Sequence, residues 1–234
     1  MSTPVYLITG TRKGLGKILA EHYLSQGYTV VGCSRRPSSI DHENYVHFEL
    51  DVADEQAVTQ MVRETQKRFG KIDVLLNNAG IAAMNHLLTT PYKNAKSVLD
   101  TNFFGTFLLT REVAKVMIKR KSGSIVNYST IAVPLDLSGE AVYAASKAAV
   151  ESFTRTCAKE LGPFGIRVNA VGPTPVGTDL IRNIPKEKLD ALLEQQVIQR
   201  LGEPDDVRNV IDFFNSPASA FITGQVIYLG GVMA

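Results

Sequence analysis

Short runs of apolar, often β-branched residues alternate along this chain with longer amphipathic segments. Seven runs have the length and composition of strands: Val5–Thr9, Thr29–Gly32, Val46–Leu50, Val74–Leu76, Ser124–Tyr128, Arg167–Val171 and Gln225–Leu229. Six longer segments have the periodicity of helices: Gly14–Gln26, Glu55–Phe69, Thr101–Lys121, Val142–Leu161, Lys186–Gln199 and Pro204–Phe214. Gly70 and Gly162 stand as stop signals at two helix ends.

The alternation of strands and helices predicts an α/β fold. Strands that are apolar on both faces, joined by helical connections, indicate a parallel sheet covered by helices on both sides. We therefore expect a single Rossmann-type, doubly wound domain over residues 1–234. The proline-rich segment Gly172–Gly177 follows a strand, where such folds place ligand loops, so we read it as part of the domain. Residues of about 179–200 are expected to form a substrate loop.

Composition and charge exclude several classes of protein. The 234 residues are 44% apolar, and 25 basic residues nearly balance 23 acidic ones, which gives no indication of a nucleic-acid or membrane partner. Met1–Pro4 leads directly into a strand, and no apolar run is long enough to cross a membrane, so we expect a cytosolic protein. Cys33 and Cys157 are expected to be buried thiols, and the scattered histidines predict no metal site.

A glycine-rich segment follows the first predicted strand directly and opens the first helix. It reads Thr9-Gly10-Thr-Arg-Lys-Gly14-Leu15-Gly16. Glycines at such a turn let backbone amides approach a diphosphate, and the helix N-terminus adds partial positive charge. The alternative is an ordinary glycine-rich turn, but its position favours a dinucleotide-binding loop.

The end of the second strand indicates which dinucleotide binds. An acidic residue here would hold two ribose hydroxyls, whereas a 2′-phosphate calls for cations. Ser34 stands at that position, followed by Arg35 and Arg36, with Arg12 and Lys13 in the glycine-rich loop. The sequence therefore favours NADP(H) over NAD(H), with solvation of a loop by the two arginines as the alternative.

Tyr143 and Lys147 lie four residues apart on a predicted helix and therefore share a face. A free tyrosine has a pKa of about 10, and a nearby cation stabilises the phenolate. Such a pair is common on helices, so its meaning depends on the rest of the chain.

Taken in order, these motifs resemble the short-chain dehydrogenase/reductase family over nearly the whole chain. The motifs are the glycine-rich loop, Asp51 after the third strand, Asn77-Asn78-Ala79-Gly80 after the fourth, Asn102, Tyr143, Lys147, the loop Pro173–Thr178 and the ending Thr223–Gly231. The resemblance implies hydride transfer between a nicotinamide and a carbonyl or alcohol carbon.

The resemblance also implies roles for single residues. Tyr143 would act as general acid in reduction and general base in oxidation, and Lys147 would hold the nicotinamide ribose and lower the tyrosine pKa. Asn102 would hold a water in a proton relay, or else simply bond to backbone as a helix asparagine. The implied cofactor-binding positions are Gly10, Arg12, Lys13, Gly14, Leu15, Gly16, Ser34, Arg35, Arg36, Asp51, Val52, Asn78, Ala79, Gly80, Tyr143, Lys147, Pro173, Val176 and Thr178.

The chain departs from the family pattern at the catalytic serine. Thirteen residues before Tyr143 stands Thr130, with Ser129 one position earlier. Neighbouring side chains of a regular strand point to opposite faces, so only one of the two hydroxyls can face the substrate. We predict that Thr130 does so, and Ser129 is the alternative if the register shifts.

Two further departures concern loops. Thr174 stands where the family usually has glycine, so the loop over the nicotinamide is expected to run differently. Leu229 replaces a commonly acidic residue before the final glycine pair.

The leading interpretation is an NADPH-dependent carbonyl reductase, similar in general character to the 3-oxoacyl carrier-protein reductases. Residues 133–142 and 179–199 would shape the pocket for a small carbonyl or alcohol substrate. Lys119–Lys121 could meet an acidic carrier protein, although solvation of a helix end is the favoured interpretation. A sugar, polyol or other secondary alcohol is an alternative substrate, and a non-catalytic NADP(H) sensor or scaffold is an alternative of another class.

The two longest predicted helices indicate self-association. The segments 101–121 and 142–161 carry more apolar residues than one buried stripe needs. The family usually pairs these helices across a two-fold axis, so we expect a homodimer or homotetramer.

Overall fold

A seven-stranded parallel sheet forms the centre of the protein. The computed structural model describes residues 3–82, 84–177 and 186–233. The strands are β1 Val5–Thr9, β2 Thr29–Ser34, β3 Tyr45–Glu49, β4 Val74–Asn77, β5 Gly123–Tyr128, β6 Ile166–Gly172 and β7 Val226–Tyr228. Their order across the sheet is β3-β2-β1-β4-β5-β6-β7, which confirms the predicted doubly wound α/β fold.

Helices connect successive strands over most of the chain. They are α1 Gly14–Ser25, α2 Glu55–Phe69, α3 Tyr92–Leu99, α4 Gly105–Met117, α5 Ala141–Leu161, α6 Lys186–Leu193 and α7 Pro204–Asn215. Asp54 caps α2 by accepting hydrogen bonds from the amides of Gln56 and Ala57, and Gly70 ends this helix in the left-handed conformation.

The sheet separates two hydrophobic cores, and adjacent strand residues contribute to opposite ones. Leu7 packs with α2 and α4, whereas Ile8 packs with α1 and α7. Leu75 and Leu76 on β4 divide between the two cores in the same way. Because side chains alternate across a strand, a continuous apolar run is what a sheet covered on both faces requires.

The structure corrects two predicted helices. The helix predicted to begin at Thr101 is preceded by α3, which leads through a π-helical turn, Asp100–Phe104, into α4. Among the residues of α3 only Val98 is buried, so the segment carries too weak an apolar stripe to be recognised. The helix predicted to reach Gln199 ends at Leu193, and the amide of Ile198 instead donates to the carbonyl of Gly230.

The fold places its ligand edge at the carboxyl ends of the central strands. The strand order reverses between the neighbouring strands β1 and β4, and ligands of such sheets bind at that point. None of the described helices is long and apolar enough to cross a membrane. Within the same ranges, no cluster of three His, Cys, Asp or Glu side chains could hold a metal ion.

Candidate active site

The glycine-rich loop after β1 is held by the segment that follows β4. The side-chain amide of Asn78 donates to the carbonyl of Thr9 at 2.8 Å, and the amide of Ala79 donates to the hydroxyl of Thr9, also at 2.8 Å. A Cβ atom added to Gly10 would lie 2.9 Å from the side-chain Nδ2 atom of Asn78, and one added to Gly16 would lie 2.4 Å from the same atom. These two positions therefore require glycine because of close packing.

The N-terminus of α1 is open to an anion. Lys13, at the N-cap, makes no side-chain capping hydrogen bond, and the first turn of α1 carries no acidic residue. Gly10 and Gly14 adopt positive φ angles, of 78° and 60°. Unsatisfied amides and the helix dipole at this turn fit a diphosphate group, so the residues present suit the dinucleotide predicted from the sequence.

Four cationic side chains lie near the end of β2 and the glycine-rich loop. Arg35, Arg36 and Lys13 are exposed, and Arg12 is partly buried. Within the described part of the chain, none of these four side chains forms an ion pair. They are therefore available to a phosphate group.

A chain of hydrogen bonds stabilises the turn at the end of β2. The hydroxyl of Ser34 donates to the carbonyl of Arg36 at 2.7 Å, and the Nε2 atom of His47 lies 3.1 Å from the same hydroxyl. The Nδ1 atom of His47 contacts the hydroxyl of Tyr45 at 2.9 Å, and Tyr45 contacts the hydroxyl of Thr11 at 2.8 Å. This chain links the Ser34–Arg36 turn to the glycine-rich loop.

Asp51 and Val52, also predicted to touch the cofactor, lie after β3. Asp51 accepts a hydrogen bond from the amide of Ala53 at 3.0 Å and is partly exposed. Val52 is buried and packs against Gly105, where an added Cβ would lie 2.6 Å from the valine Cγ2 atom. Val52 therefore has a packing role.

Tyr143 and Lys147 lie near the N-terminal end of α5, as the spacing predicts. Lys147 is 5% exposed, and its Nζ atom donates to the carbonyl of Tyr128, the last residue of β5, at 2.9 Å. A Cβ built on Gly80 would lie 3.5 Å from the same Nζ atom, so the ammonium sits between β5 and the segment after β4.

Burial shifts the pKa values of both residues. Burial raises the pKa of Tyr143 to about 12, and a hydrogen bond with Thr130 only partly offsets this rise. Burial also lowers the pKa of Lys147 to about 8. Burial is thus the largest cause of the shift, and the lowering of the tyrosine pKa by Lys147 stays a prediction. At neutral pH the phenol is protonated and most of the ammonium is charged, which is the state needed to donate a proton.

The two candidate hydroxyls after β5 point in different directions. Thr130 is buried beside Tyr143, and its Oγ1 atom accepts a hydrogen bond from the amide of Ala132 at 3.3 Å. Ser129 instead donates to the carboxylate of Glu151. The strand alternation argued from the sequence is thus present, with Thr130 next to the phenol.

Asn102 lies in the π-helical turn and is completely buried. Its Oδ1 atom accepts from the amide of Ile81 at 2.8 Å, while its Nδ2 atom donates to the carbonyl of Ile81 and to Ser146 Oγ, each at 3.0 Å. The Asn102 side chain therefore bonds to backbone groups, as a helix asparagine without a relay role could also do. Ser146, which sequence reasoning missed, also donates to the carbonyl of Tyr143 at 2.7 Å and so connects Asn102 to the first turn of α5.

The loop after β6 completes the site. The carbonyl of Pro173 accepts from the amide of Ile131 at 3.3 Å, Val176 is buried and forms a bridge with Gly202, and Thr178 lies outside the described residues. Thr174 is not among the described residues with positive φ, so threonine is accommodated here without left-handed strain.

A groove of about 500 Å³ lies beside α5. Its lining includes Leu87, Val133, Asp136, Leu137 and Ala144. Asp136 has a φ angle of 46°, unusual for a residue with a side chain, and turns the loop that forms one wall. The loop 133–142 was predicted to shape a substrate pocket, and part of it lines this groove.

Comparison with known proteins decides the family. A family model described as enoyl-(acyl carrier protein) reductase matches residues 10–232. A 3-oxoacyl-[acyl-carrier-protein] reductase of Synechocystis sp. is 35% identical over 244 residues, which cover 100% of this chain and 98% of that protein. The chain belongs to the short-chain dehydrogenase/reductase family. A second relative, the 3-oxoacyl-[acyl-carrier-protein] reductase FabG of Thermotoga maritima, is 35% identical over 97% of this chain and 96% of its own.

Solved structures place this short-chain dehydrogenase/reductase among oxidoreductases. The ligand-free aldohexose dehydrogenase of Thermoplasma acidophilum superposes with a TM-score of 0.90 at 28% identity, covering 98% of this chain and 94% of that one. ElxO with NADP bound has the same TM-score at 33% identity, with 98% of each chain covered. The protein is thus an oxidoreductase with a Rossmann-like fold.

Proposed function

We propose that the protein reduces the ketone of a 3-oxoacyl thioester to a secondary alcohol, with NADPH as reductant. The observation that carries this proposal is the pairing of the Thr130 and Tyr143 hydroxyls at the carboxyl end of β5, beside the buried Lys147 ammonium. Two adjacent hydroxyls suit a single oxygen atom, which is the atom that gains negative charge during carbonyl reduction.

The surroundings of the site fit NADPH. When bound, NADPH supplies the hydride for the carbonyl carbon. Backbone amides at Gly14–Gly16 and the N-terminus of α1 would hold its diphosphate, while Arg35 and Arg36 would pair with its 2′-phosphate. The NADP bound in ElxO supports this choice.

Tyr143 is the proton donor in the proposed reduction. Because burial keeps its pKa at about 12, the phenol is protonated at neutral pH and can donate to the substrate oxygen. Thr130 would hold that oxygen by a second hydrogen bond. Lys147 would contact the nicotinamide ribose, and its positive charge would stabilise the phenolate left after proton transfer.

The thioester is supported by the relatives and by the shape of the groove. Both relatives described above are 3-oxoacyl-[acyl-carrier-protein] reductases. Leu87, Val133 and Leu137 give the groove an apolar wall suited to an acyl chain. Presentation of the acyl group on a carrier protein is the finer form of the proposal. In the basic segment Lys119–Lys121, Arg120 lies 3.5 Å from Asp73, and the segment stays a candidate contact.

A substrate panel with both cofactors tests the proposal. NADPH oxidation is followed with a 3-oxoacyl thioester, a trans-2-enoyl thioester and, in the reverse direction, an aldohexose. We expect the 3-oxoacyl thioester with NADPH to give the highest kcat/KM. Preference for the enoyl thioester would match the description of the family model instead, and tight NADPH binding without any turnover would indicate a sensor.

Self-association through α4 and α5 stays a prediction. Phe107 of α4 packs edge-on against Phe153 of α5, and the neighbouring Phe104 is 49% exposed. An apolar side chain exposed there supports a dimer or tetramer formed by these helices. Sedimentation showing only a 25.6 kDa species would contradict it. The cytosolic location expected from the sequence likewise stays a prediction.

A further inference from the structure

A buried carboxylate lies one helical turn beyond the catalytic lysine. Glu151 follows Tyr143 and Lys147 at spacings of four residues on α5, so the three side chains share one face of that helix. Glu151 is 6% exposed. The proton transfer proposed above makes no use of it.

The Glu151 carboxylate joins three elements of the fold. Its Oε1 atom accepts from the hydroxyl of Ser129, which directly follows β5, and from the hydroxyl of Tyr228 on β7 at 2.5 Å. Arg155 on the next turn of α5 lies 3.8 Å from the other carboxylate oxygen. A buried carboxylate is unfavourable unless such partners satisfy it.

Ser129 is fixed at both its backbone and its side chain. Its amide donates to the carbonyl of Val171 at 2.8 Å and so extends the β5–β6 pairing by one residue. Its hydroxyl is held by Glu151 on α5. Because consecutive side chains point to opposite faces, this anchoring directs Thr130 toward Tyr143, and a slip of one residue would exchange the two hydroxyls.

Tyr228 on β7 is the second hydroxyl donor to Glu151. Its ring lies against Gly172, where an added Cβ would come within 2.3 Å of the tyrosine Cδ1 atom. Burial together with the hydrogen bond to Glu151 raises the pKa of Tyr228, so its hydroxyl stays protonated as a donor. The carboxylate therefore has two permanent hydroxyl donors, from β5 and from β7.

We propose that Glu151 is a positioning residue that holds Ser129 and thereby fixes the register in which Thr130 meets the substrate oxygen beside Tyr143. This inference rests on the proposed carbonyl reduction. It also explains why the serine nearest the expected catalytic position does not serve the reaction, since its hydroxyl is committed to Glu151.

Two substitutions at this position separate positioning from packing. Glu151→Gln keeps an oxygen that accepts from both hydroxyls, whereas Glu151→Leu fills a similar volume and accepts nothing. We expect Glu151→Gln to keep most of the wild-type kcat and Glu151→Leu to lose about 10²-fold, the effect of a misplaced catalytic group. The KM for NADPH should change little, because the glycine-rich loop is separate from this network. Glu160→Gln and Glu160→Leu, at an exposed position of α5, are the matched controls.

A double variant tests the register directly. In Glu151→Leu the hydrogen bond to Ser129 is already lost, so adding Ser129→Ala should lower kcat no further. Ser129→Ala alone should also lower kcat, because it removes the same hydrogen bond from its other end. A merely structural network would lower the melting temperature without this shared, non-additive loss of kcat. Unchanged kcat in Glu151→Leu, or equal losses in the Gln and Leu variants, would overturn the proposal.

The proposal can also be decided without turnover. A crystal structure of Glu151→Leu should show the Thr130 hydroxyl turned away from Tyr143, and an unchanged Thr130 would overturn the proposal. If Glu151→Leu does not fold, the same comparison is made on Tyr228→Phe/Ser129→Ala, which removes both donors to Glu151. A wild type that reduces no carbonyl would refute the proposed function alone.

Discussion

The buried charge of Lys147 in the candidate active site should lower the free energy of unfolding. The folded chain lowers the pKa of this lysine from 10.5 to about 8 through burial. That difference corresponds to about 3 kcal/mol of unfavourable free energy at pH 7. Lys147→Met removes this cost but leaves the carbonyl of Tyr128 without its donor, a loss of about 1 kcal/mol. The variant should therefore be inactive yet more stable than wild type by about 2 kcal/mol.

The pH dependence of this difference follows from the direction of the shift. Because the folded pKa lies below the unfolded one, the unfolded chain binds more protons between pH 8 and 10.5, and wild-type stability rises with pH across that window. The advantage of Lys147→Met should shrink from about 2 kcal/mol at pH 7 toward zero near pH 10.

Urea unfolding at fixed protein concentration measures the difference in free energy of unfolding between Lys147→Met and wild type at pH 7 and at pH 10. At pH 7 the melting temperature of Lys147→Met should exceed that of wild type by about 4–8 °C for a chain of this size. The control is Lys159→Met, an exposed lysine on the same helix, for which we expect almost no change at either pH. A variant that is less stable than wild type at pH 7, or whose advantage is independent of pH, would refute the reasoning.

Three further predictions concern activity and cofactor binding. Thr130→Ala should lower kcat by about 10²–10³-fold, as expected for loss of a donor to the substrate oxygen. Thr130→Ser should keep a kcat close to that of wild type. Steady-state kinetics measure both, and a normal kcat in Thr130→Ala would remove Thr130 from the mechanism. Replacing Arg35 and Arg36 together by alanine should raise the KM for NADPH by about 10–100-fold and leave the KM for NADH almost unchanged; an equal effect on both cofactors would contradict the 2′-phosphate assignment. The kcat/KM for reduction should fall above pH about 8 as Lys147 loses its proton, and a profile that stays flat to pH 10 would show that this charge is not needed.

The fold was predictable because apolar strand segments alternate with helical segments along the whole chain. Leu7 and Ile8 are both apolar because each belongs to a different core on opposite faces of the sheet. Such runs, separated by helical segments, leave few alternatives to a covered parallel sheet. Helix α3 escaped prediction because burial of Val98 alone leaves no apolar stripe. Beyond the end of α6 at Leu193, the amide of Ile198 bonds to the distant Gly230, a contact that no local pattern shows.

The proximity of the candidate site residues was predictable, but their hydrogen bonds were not. Tyr143 and Lys147 are brought together by helical spacing, and strand alternation places Thr130 opposite Ser129. Asn102 bonds to Ser146 across 44 residues, and Tyr228 bonds to Glu151 across 77. No local pattern encodes contacts of that separation. The rise of the Tyr143 pKa was likewise not predictable, since it depends on how deeply the fold buries the phenol.

Transfer of a labelled hydride tests the central claim most directly. The enzyme is incubated with a 3-oxoacyl thioester and NADPH carrying deuterium at both C4 positions, and the product is analysed by mass spectrometry. The wild type should form a 3-hydroxyacyl thioester with one deuterium on the carbinol carbon, and Tyr143→Phe should bind NADPH normally while forming almost none. Absence of this labelled product with the wild type, or its undiminished formation by Tyr143→Phe, would contradict the assignment.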